Sequence, residues 1–369
     1  MCCPVVVWAT RLVFLVFSLS LFGCAELSYY LHSAKGQFEI MSKTRDIDDV
    51  LADKSISPKL SKQLFLIKKI RQFALQKLLL PESESYTEYA DLERKYVLKN
   101  LFAAKEFSTQ PHRWCYPFVG CTSYRGYFEQ SRLDQYVKQL KQQNYDIYVG
   151  FVPAYSTLGW FDDPVLNTFV YWPEQRLAGL IFHELTHQLI YIDDDSAFNE
   201  SLAVAVQQSG VELWLTENNQ PGILKRYRQR LKNRQQVIQL IIQGREKLRE
   251  LYEKDLPDDE KRLNKKRILN RLKQAYDNLA GSFEVSDGFK RWFSSELNNA
   301  KLLSISTYHK NAAAFKNMLK HHRLNYALFY QHVRLLADLD FKKRQQCLSN
   351  WLAPQSGIEV HCSLRINKS

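Results

Sequence analysis

The segment from Leu177 to Ile192 constrains the fold of this chain more than any other. It is predicted to be a helix that is apolar on most faces, and such a helix has to be buried in a core. Its middle reads His183-Glu184-Leu185-Thr186-His187. Two histidines four residues apart lie about 40° apart around a helix, so both imidazoles can point at one ion. A metal site is therefore predicted, and the alternative is a pair of core histidines with Glu184 bonded to one of them.

A zinc site needs a third protein ligand, and the sequence offers two candidates. Asp193 lies six residues after His187, but the chain would have to turn back at Ile190, where a β-branched residue resists a positive φ. The helix is therefore expected to continue through Ile190 and to carry Asp193 away. Glu200 opens the next predicted helix, and an antiparallel helix pair can bring it beside His187. This arrangement resembles the gluzincin metallopeptidases.

A wider resemblance covers almost the whole chain after the first two dozen residues. The stretches that carry it, besides the histidine motif, are Trp114 to Pro117, Tyr124 to Phe128, Ala154 to Phe161, Phe198 to Glu200 and Asn298 to Ala300. In these stretches the chain resembles a bacterial family described as "putative zinc aminopeptidases", which are predicted lipoproteins. The resemblance implies a zinc-dependent exopeptidase, although exo- versus endopeptidase action stays open from the residues themselves.

The mechanism that this resemblance implies assigns roles to the residues of the histidine motif, to Glu200 and to a residue further along the chain. A Zn²⁺ ion held by His183, His187 and Glu200 would supply a Lewis acid and an activated water for attack on a peptide carbonyl. Glu184 would be the general base. Related gluzincins take an oxyanion donor from a downstream Tyr or His, and the candidates here are Tyr308 first and His309 second.

The N-terminus has the pattern of an export signal. Leu12 to Phe22 is an apolar run of eleven residues, which suits a secretory signal better than a membrane span. The following Leu21-Phe22-Gly23-Cys24 resembles a bacterial lipoprotein box, with Cys24 as the lipidated residue, although Phe22 is uncommon there. We expect residues 1–23 to be a lipoprotein signal peptide and the protein to be anchored by lipid on the periplasmic side of the cell envelope, at the outer membrane in preference to the inner. An uncleaved N-terminal anchor is the alternative.

Of the seven cysteines, Cys2 and Cys3 lie in the expected signal peptide and Cys24 is the expected lipidation site, and the other four form two pairs that are close in sequence. Four cysteines allow three connectivities, and the sequence alone cannot choose among them. Local pairing in an oxidising compartment is the natural expectation, with four free thiols as the alternative. The disulfide candidates are Cys115, Cys121, Cys347 and Cys362.

Most of the positive charge lies in one segment. The chain carries a formal net charge of +12, and residues 225–280 contribute +9 of it, from 17 Lys and Arg against 8 Asp and Glu. This segment is predicted to be a solvated helical hairpin, breaking near Pro257, that could contact an anionic lipid surface. No nucleic-acid-binding motif accompanies the charge, so a nucleic-acid partner is not expected.

Together these patterns predict a mostly helical α+β protein. We expect a gluzincin-like metallopeptidase core with a small sheet, formed by residues 24–222 and 281–369, with residues 223–280 as an inserted basic hairpin. Tyr86 to about Ala104 is expected to be helical, and Tyr145 to Pro153 is the strongest strand candidate.

The substrate would be a peptide, and two further features could bind it. Ala154 to Phe161 could form an edge strand for it, or a core strand. The carboxylates available for a substrate amine are Asp162, Asp163 and Asp193 to Asp195. The competing class is a non-catalytic envelope lipoprotein with a structural zinc site and a partner-binding arm. A structural site would need four protein ligands.

Overall fold

A computed structural model describes residues 24–116, 120–154, 162–193, 195–305 and 311–352. It is mostly helical with small sheets, which agrees with the predicted α+β class. Within the described part, no helix is both long and apolar enough to cross a membrane. The helices are α1 Cys24–Ser42, α2 Ile47–Ala52, α3 Pro58–Lys77, α4 Gln130–Gln142, α5 Glu174–Leu189, α6 Ser196–Glu217, α7 Pro221–Tyr252, α8 Asp258–Gly281, α9 Lys290–Phe293, α10 Asn299–Leu303, α11 Ala312–His321, α12 Tyr326–Ala337 and α13 Phe341–Leu352.

The strands form three small sheets. The first has the order β1-β2-β8 and the second the order β6-β3-β7, while β4 pairs with β5. In the second sheet, β3 and β7 are antiparallel along their whole length, from the pair Leu98–Val152 to the pair Lys105–Tyr145. The strands are β1 Thr44–Asp46, β2 Glu88–Ala90, β3 Leu98–Lys105, β4 Trp114–Tyr116, β5 Gly120–Thr122, β6 Arg125–Tyr127, β7 Tyr145–Val152 and β8 Val165–Leu166.

The expected strand at Tyr145 is confirmed as β7, but the expected helix from Tyr86 to Ala104 is wrong. That segment contains β2 and β3. Tyr86 and Glu93 adopt φ values of 64° and 55°, and a positive φ is incompatible with a continuous right-handed helix. The apolar residues between 97 and 104 are buried by sheet pairing instead.

The largest core surrounds α5. This helix packs between α3 on one side and α6 on the other, and α6 in turn packs against α11. Phe182 of α5 stacks on Phe73 of α3 with ring centroids 5.9 Å apart, and Phe198 of α6 meets Phe315 of α11 edge to face at 5.1 Å. The apolar helix is thus buried as expected, and neighbours on both sides fix its position.

The close approach of α5 and α6 depends on Gly210. A Cβ at this position would lie 2.6 Å from Leu78 Cδ1 and 2.8 Å from Phe182 Cδ2. We therefore expect Gly210→Ala to destabilise the protein by about 1 kcal/mol or more, because overpacking outweighs the better helix propensity of alanine. The measurement is urea unfolding. Gly281→Ala is the control, since nothing lies within 4 Å of its added Cβ, and it should be neutral or stabilising.

Cys115 and Cys121 form a disulfide across the β4–β5 hairpin, as expected from their spacing. Cys347 is also disulfide-bonded. Cys362, its expected partner, lies outside the described residues, so that pairing stays a prediction. Residues 1–23 are outside them too. Cys24 is the first residue of α1, and the structure does not describe its side chain.

The basic hairpin consists of α7 and α8, broken at residues 253–257. It is less solvated than expected, because one face of it contributes to a core of its own with Phe293 and Leu302. Ion pairs also join its second helix, α8, to the second sheet and to the residue that follows β3. Lys265 is 9% exposed and donates to Asp146 Oδ2 at 2.7 Å, while Arg262 makes a two-nitrogen contact with Glu106 at 2.7 and 3.0 Å.

Candidate metal centre

Helix α5 presents one open stripe and buries the rest of its surface. It begins after Pro173, and Glu174 in its first turn accepts hydrogen bonds from Trp214 Nε1 at 2.7 Å and from Gln220, which fix this end against the end of α6. The stripe that stays accessible contains Arg176, His183 and Glu184. His183 and Glu184 are therefore partly accessible, whereas Leu185, Thr186 and His187 of the same motif are buried.

Helix α5 ends at Leu189, so the expectation that it continues through Ile190 is wrong. Ile190 is extended, with φ −146° and ψ 121°, a conformation that suits a β-branched residue. The turn that follows is held by Asn199, whose side chain accepts from the Ile192 N–H at 2.9 Å and donates to the Ile192 carbonyl at 2.8 Å. Asp193 is exposed and does not belong to the cluster formed by the histidines.

The start of α6 is fixed by a buried ion pair. Asp195 caps the helix by accepting from the Phe198 N–H at 3.1 Å. Its other carboxylate oxygen accepts from Arg344 Nε at 2.9 Å, and the two side chains are only 3% and 6% exposed. Arg344 also donates to the carbonyls of Ala337 and Leu339. Helix α13 thus holds the first turn of the helix that carries Glu200.

The structure brings together the three predicted metal ligands. His183 Nε2 and His187 Nε2 are 3.3 Å apart. Glu200 faces both, with one carboxylate oxygen 3.4 Å from His183 Nε2 and the other 3.5 Å from His187 Nε2. All three donor atoms lie within 4.8 Å of one another, and this is the one such cluster of His, Cys, Asp and Glu among the described residues.

The donor set fits a metal ion such as zinc. His183 Nδ1 lies 3.1 Å from Gln207 Oε1, and a proton on that nitrogen leaves the Nε2 lone pair for a metal. His187 Nδ1 is buried without a hydrogen-bond partner among the described residues. Two imidazole nitrogens and a carboxylate are a common set for zinc.

The pKa values of the two histidines shift in opposite directions. Burial lowers the pKa of His183, but its hydrogen bond with Glu200 and the charges of Glu184 and Glu200 outweigh this, so the net shift is upward. Burial and the neighbouring His183 lower the pKa of His187 to about 4. The neutral form of His187, which a metal requires, is therefore favoured in this environment.

Glu184 lies beside a buried segment that sequence reasoning did not connect with the site. Burial raises the pKa of the Tyr86 hydroxyl, and the negative charges of Glu184 and Asp163 raise it further, so both carboxylates lie near this phenol. Gln188, one turn after Glu184, donates to Ser85 Oγ at 2.9 Å. The Tyr86 N–H donates to the Asp163 carbonyl at 2.7 Å. These contacts pack the segment around Tyr86 against the face of α5 that carries Glu184, the candidate general base.

The other predicted site residues divide into three groups. Tyr308, His309, Asp194 and residues 155–161 lie outside the described residues, so the oxyanion donor and the substrate strand stay predictions. Asp163 is 3% exposed, and Asp195 is occupied by Arg344. Asp162 and Asp193 remain exposed.

Two neighbours of the metal ligands were missed from the sequence. Gln207 follows Glu200 by seven residues, or about two helical turns, which places it on the same face of α6; this spacing could have revealed it. Tyr191 lies after the helix end, with its ring 6.3 Å from that of His187. No helical period places Tyr191, so the sequence carried no signal for it.

Comparison with known proteins gives one match. A family model described as "putative aminopeptidase" matches residues 28–348. No curated protein matches the chain significantly, and no solved structure does so either.

Proposed function

The chain belongs to the putative aminopeptidase family, and from this premise we propose that it is a zinc-dependent metallopeptidase that removes residues from the N-termini of peptides. The observation that carries the proposal is the cluster of His183, His187 and Glu200, whose donor atoms lie within 4.8 Å of one another. A third ligand on the helix after the histidine motif supports a gluzincin-like core.

When bound, zinc would supply a Lewis acid and a more acidic water. The protein's own residues would do the rest. Glu184, on the open stripe of α5, would take the proton of the attacking water and give it to the leaving amine. Gln207 would hold His183 in the tautomer that binds metal through Nε2. Tyr308, with His309 second, remains our candidate for the oxyanion donor.

The competing possibility is a structural zinc site in a non-catalytic lipoprotein. A structural site closes its shell with four protein ligands. In the part of the chain that the structure describes, the cluster has three members, which leaves a position for water. This count favours catalysis.

The direct test is metal content together with peptide cleavage. The purified protein should contain about one zinc per chain and release N-terminal residues from a mixed peptide library. Chelation should abolish release, and added zinc should restore it. A blocked N-terminus on the same peptides should prevent cleavage if the enzyme is an exopeptidase. Bound zinc without cleavage of any peptide would contradict the proposal.

Removing a metal ligand should weaken metal binding more than removing a residue that hydrogen-bonds to a ligand. Loss of a hydrogen-bond partner to a ligating histidine typically weakens metal binding about 10–100-fold. We expect that range for Gln207→Leu and a larger loss for His187→Ala, measured by competition with a zinc chelator. His321→Ala is the control, because this histidine is exposed and outside the cluster. Equal zinc affinity of all three variants would contradict the assigned ligand set.

We propose further that the protein is lipid-anchored through Cys24 on the periplasmic side of the envelope, more specifically at the outer membrane. The basic hairpin could then contact anionic lipid headgroups. Metabolic labelling with a fatty acid should be lost in Cys24→Ser, because this residue would carry the lipid. Labelling that persists in this variant would contradict lipidation at Cys24.

A further inference from the structure

Three exposed arginines from two helices lie close enough to interact electrostatically near the start of α5. They are Arg176 in the first turns of α5 and Arg230 and Arg234 of α7, one turn apart. The pKa of Arg176 is lowered by burial and by the positive charges of Arg230 and Arg234. Burial is the main cause that lowers the pKa of Arg234, and the positive charge of Arg230 lowers it further. None of the three forms an ion pair within 4.0 Å among the described residues.

Two of the three guanidinium groups stack on aromatic rings, and among the described residues no carboxylate forms an ion pair with any of the three. The central carbon of Arg176 lies 3.4 Å from the ring centre of Trp172, and that of Arg234 lies 4.8 Å from the ring centre of Phe289. Gly288 has a φ of 87°, and a Cβ there would lie 3.0 Å from Arg230 Nη2. Stacking on an aromatic face leaves the N–H edge of a guanidinium free to donate.

One carboxylate that interacts with this group, Asp287, already accepts other hydrogen bonds. It favours the charged form of Arg234 through its charge alone. It is 3% exposed and accepts hydrogen bonds from the Phe289 N–H and the Tyr276 hydroxyl. Its charge therefore only partly offsets three mutually repelling cations, so a further anion would be favoured at this place.

The position of the group relates it to the metal ligands. Arg176 precedes His183 by seven residues, which places both on the open stripe of α5 at a rise of about 10 Å. An extended peptide covers about 3.3 Å per residue. A peptide lying along this stripe with its scissile carbonyl at the histidines would bring the group to about the third residue beyond.

We propose that Arg176, Arg230 and Arg234 form a carboxylate-binding subsite that selects peptides with an acidic group about three residues from the scissile bond. The acidic group is a Glu or Asp side chain, or the C-terminal carboxylate of a short peptide, since a guanidinium binds either through two N–H donors. This inference rests on the proposed peptidase function, and it names the substrate class for that function.

The test uses pentapeptides that carry Glu or Gln at positions two to five in turn. The wild-type protein should cleave the Glu peptide with about ten-fold higher kcat/KM at one position. Arg176→Gln and Arg234→Gln should each reduce this ratio to below about three-fold. Lys232→Gln is the matched control, because it removes one charge from α7 on the opposite face of the helix and should keep the full ratio.

A binding measurement separates failure of this inference from failure of the proposed function. Labelled forms of the same peptides are titrated into the Glu184→Gln variant, in which binding requires no turnover. Tighter binding of one Glu peptide that is lost in the Arg176→Gln background supports the subsite even if no peptide is cleaved. Equal binding of every Glu and Gln pair, or the same loss in the Lys232→Gln background, would overturn it. Arg230→Gln is tested in the same way as the third substitution in the subsite. Thermal unfolding of each variant checks that the fold is intact.

Discussion

Replacing Glu184 with glutamine is expected to leave zinc bound and to reduce peptide hydrolysis by about 10²–10⁴-fold. The amide has nearly the same size and shape as the carboxylate, but it cannot accept the water proton and return it to the leaving amine. Glu184 is not a member of the three-residue ligand cluster, so the metal content should stay unchanged. The measurements are zinc per chain and kcat on a peptide that the wild type cleaves.

The matched control is Glu217→Gln, at the end of α6. That glutamate forms a surface ion pair with Lys77 at 3.1 Å, and surface pairs contribute about 0–1 kcal/mol. Its substitution should change neither zinc content nor rate. If Glu184→Gln keeps full activity, another group must be the base. If it loses zinc as well, the assignment of the ligands must be revised.

Replacing Arg344 with leucine is expected to lower the free energy of unfolding by about 3–5 kcal/mol, because it leaves the Asp195 carboxylate buried without its cation. Both side chains are almost fully buried, and the ion pair joins α13 to the first turn of α6. We expect zinc affinity to fall with stability, since Glu200 follows that turn. Urea unfolding and chelator competition measure the two effects.

Two further variants give this prediction its controls. Asp195→Asn combined with Arg344→Leu removes the unpaired charge and should recover part of the lost stability. Lys343→Ala removes a neighbouring charge that is 72% exposed and pairs with Asp340, and it should change stability by less than about 0.5 kcal/mol. A double variant less stable than Arg344→Leu alone would show that burial of the charge is not the cause.

The cluster of candidate metal ligands could be predicted from the sequence because its signals are local. The spacing of His183 and His187 depends on helical geometry alone. Glu200 could be predicted as a ligand because only one short turn separates the two apolar helices. The same local reasoning predicted α6 as the helix that carries Glu200.

The features that the sequence did not predict depend on distant contacts. Strand β3 forms because it pairs with β6 and β7, and its apolar residues resemble those of a helix when they are read alone. Arg344 lies 149 residues after Asp195, and no spacing rule links them. The arginines of the proposed subsite come from α5 and α7. In the sequence, Arg230 and Arg234 stood out only as part of the basic hairpin, and nothing linked them to Arg176.

The ion pair between Asp195 and Arg344 also bears on when the proposed metal centre can form during synthesis. A chain emerges from its N-terminus, so the histidine motif and Glu200 are synthesised well before the arginine that neutralises the Asp195 cap. Until α13 docks, the helix carrying Glu200 begins with an uncompensated carboxylate in an apolar setting. We expect the third ligand to be held firmly only after nearly the whole chain has folded, which would keep hydrolytic activity from appearing in partly synthesised molecules.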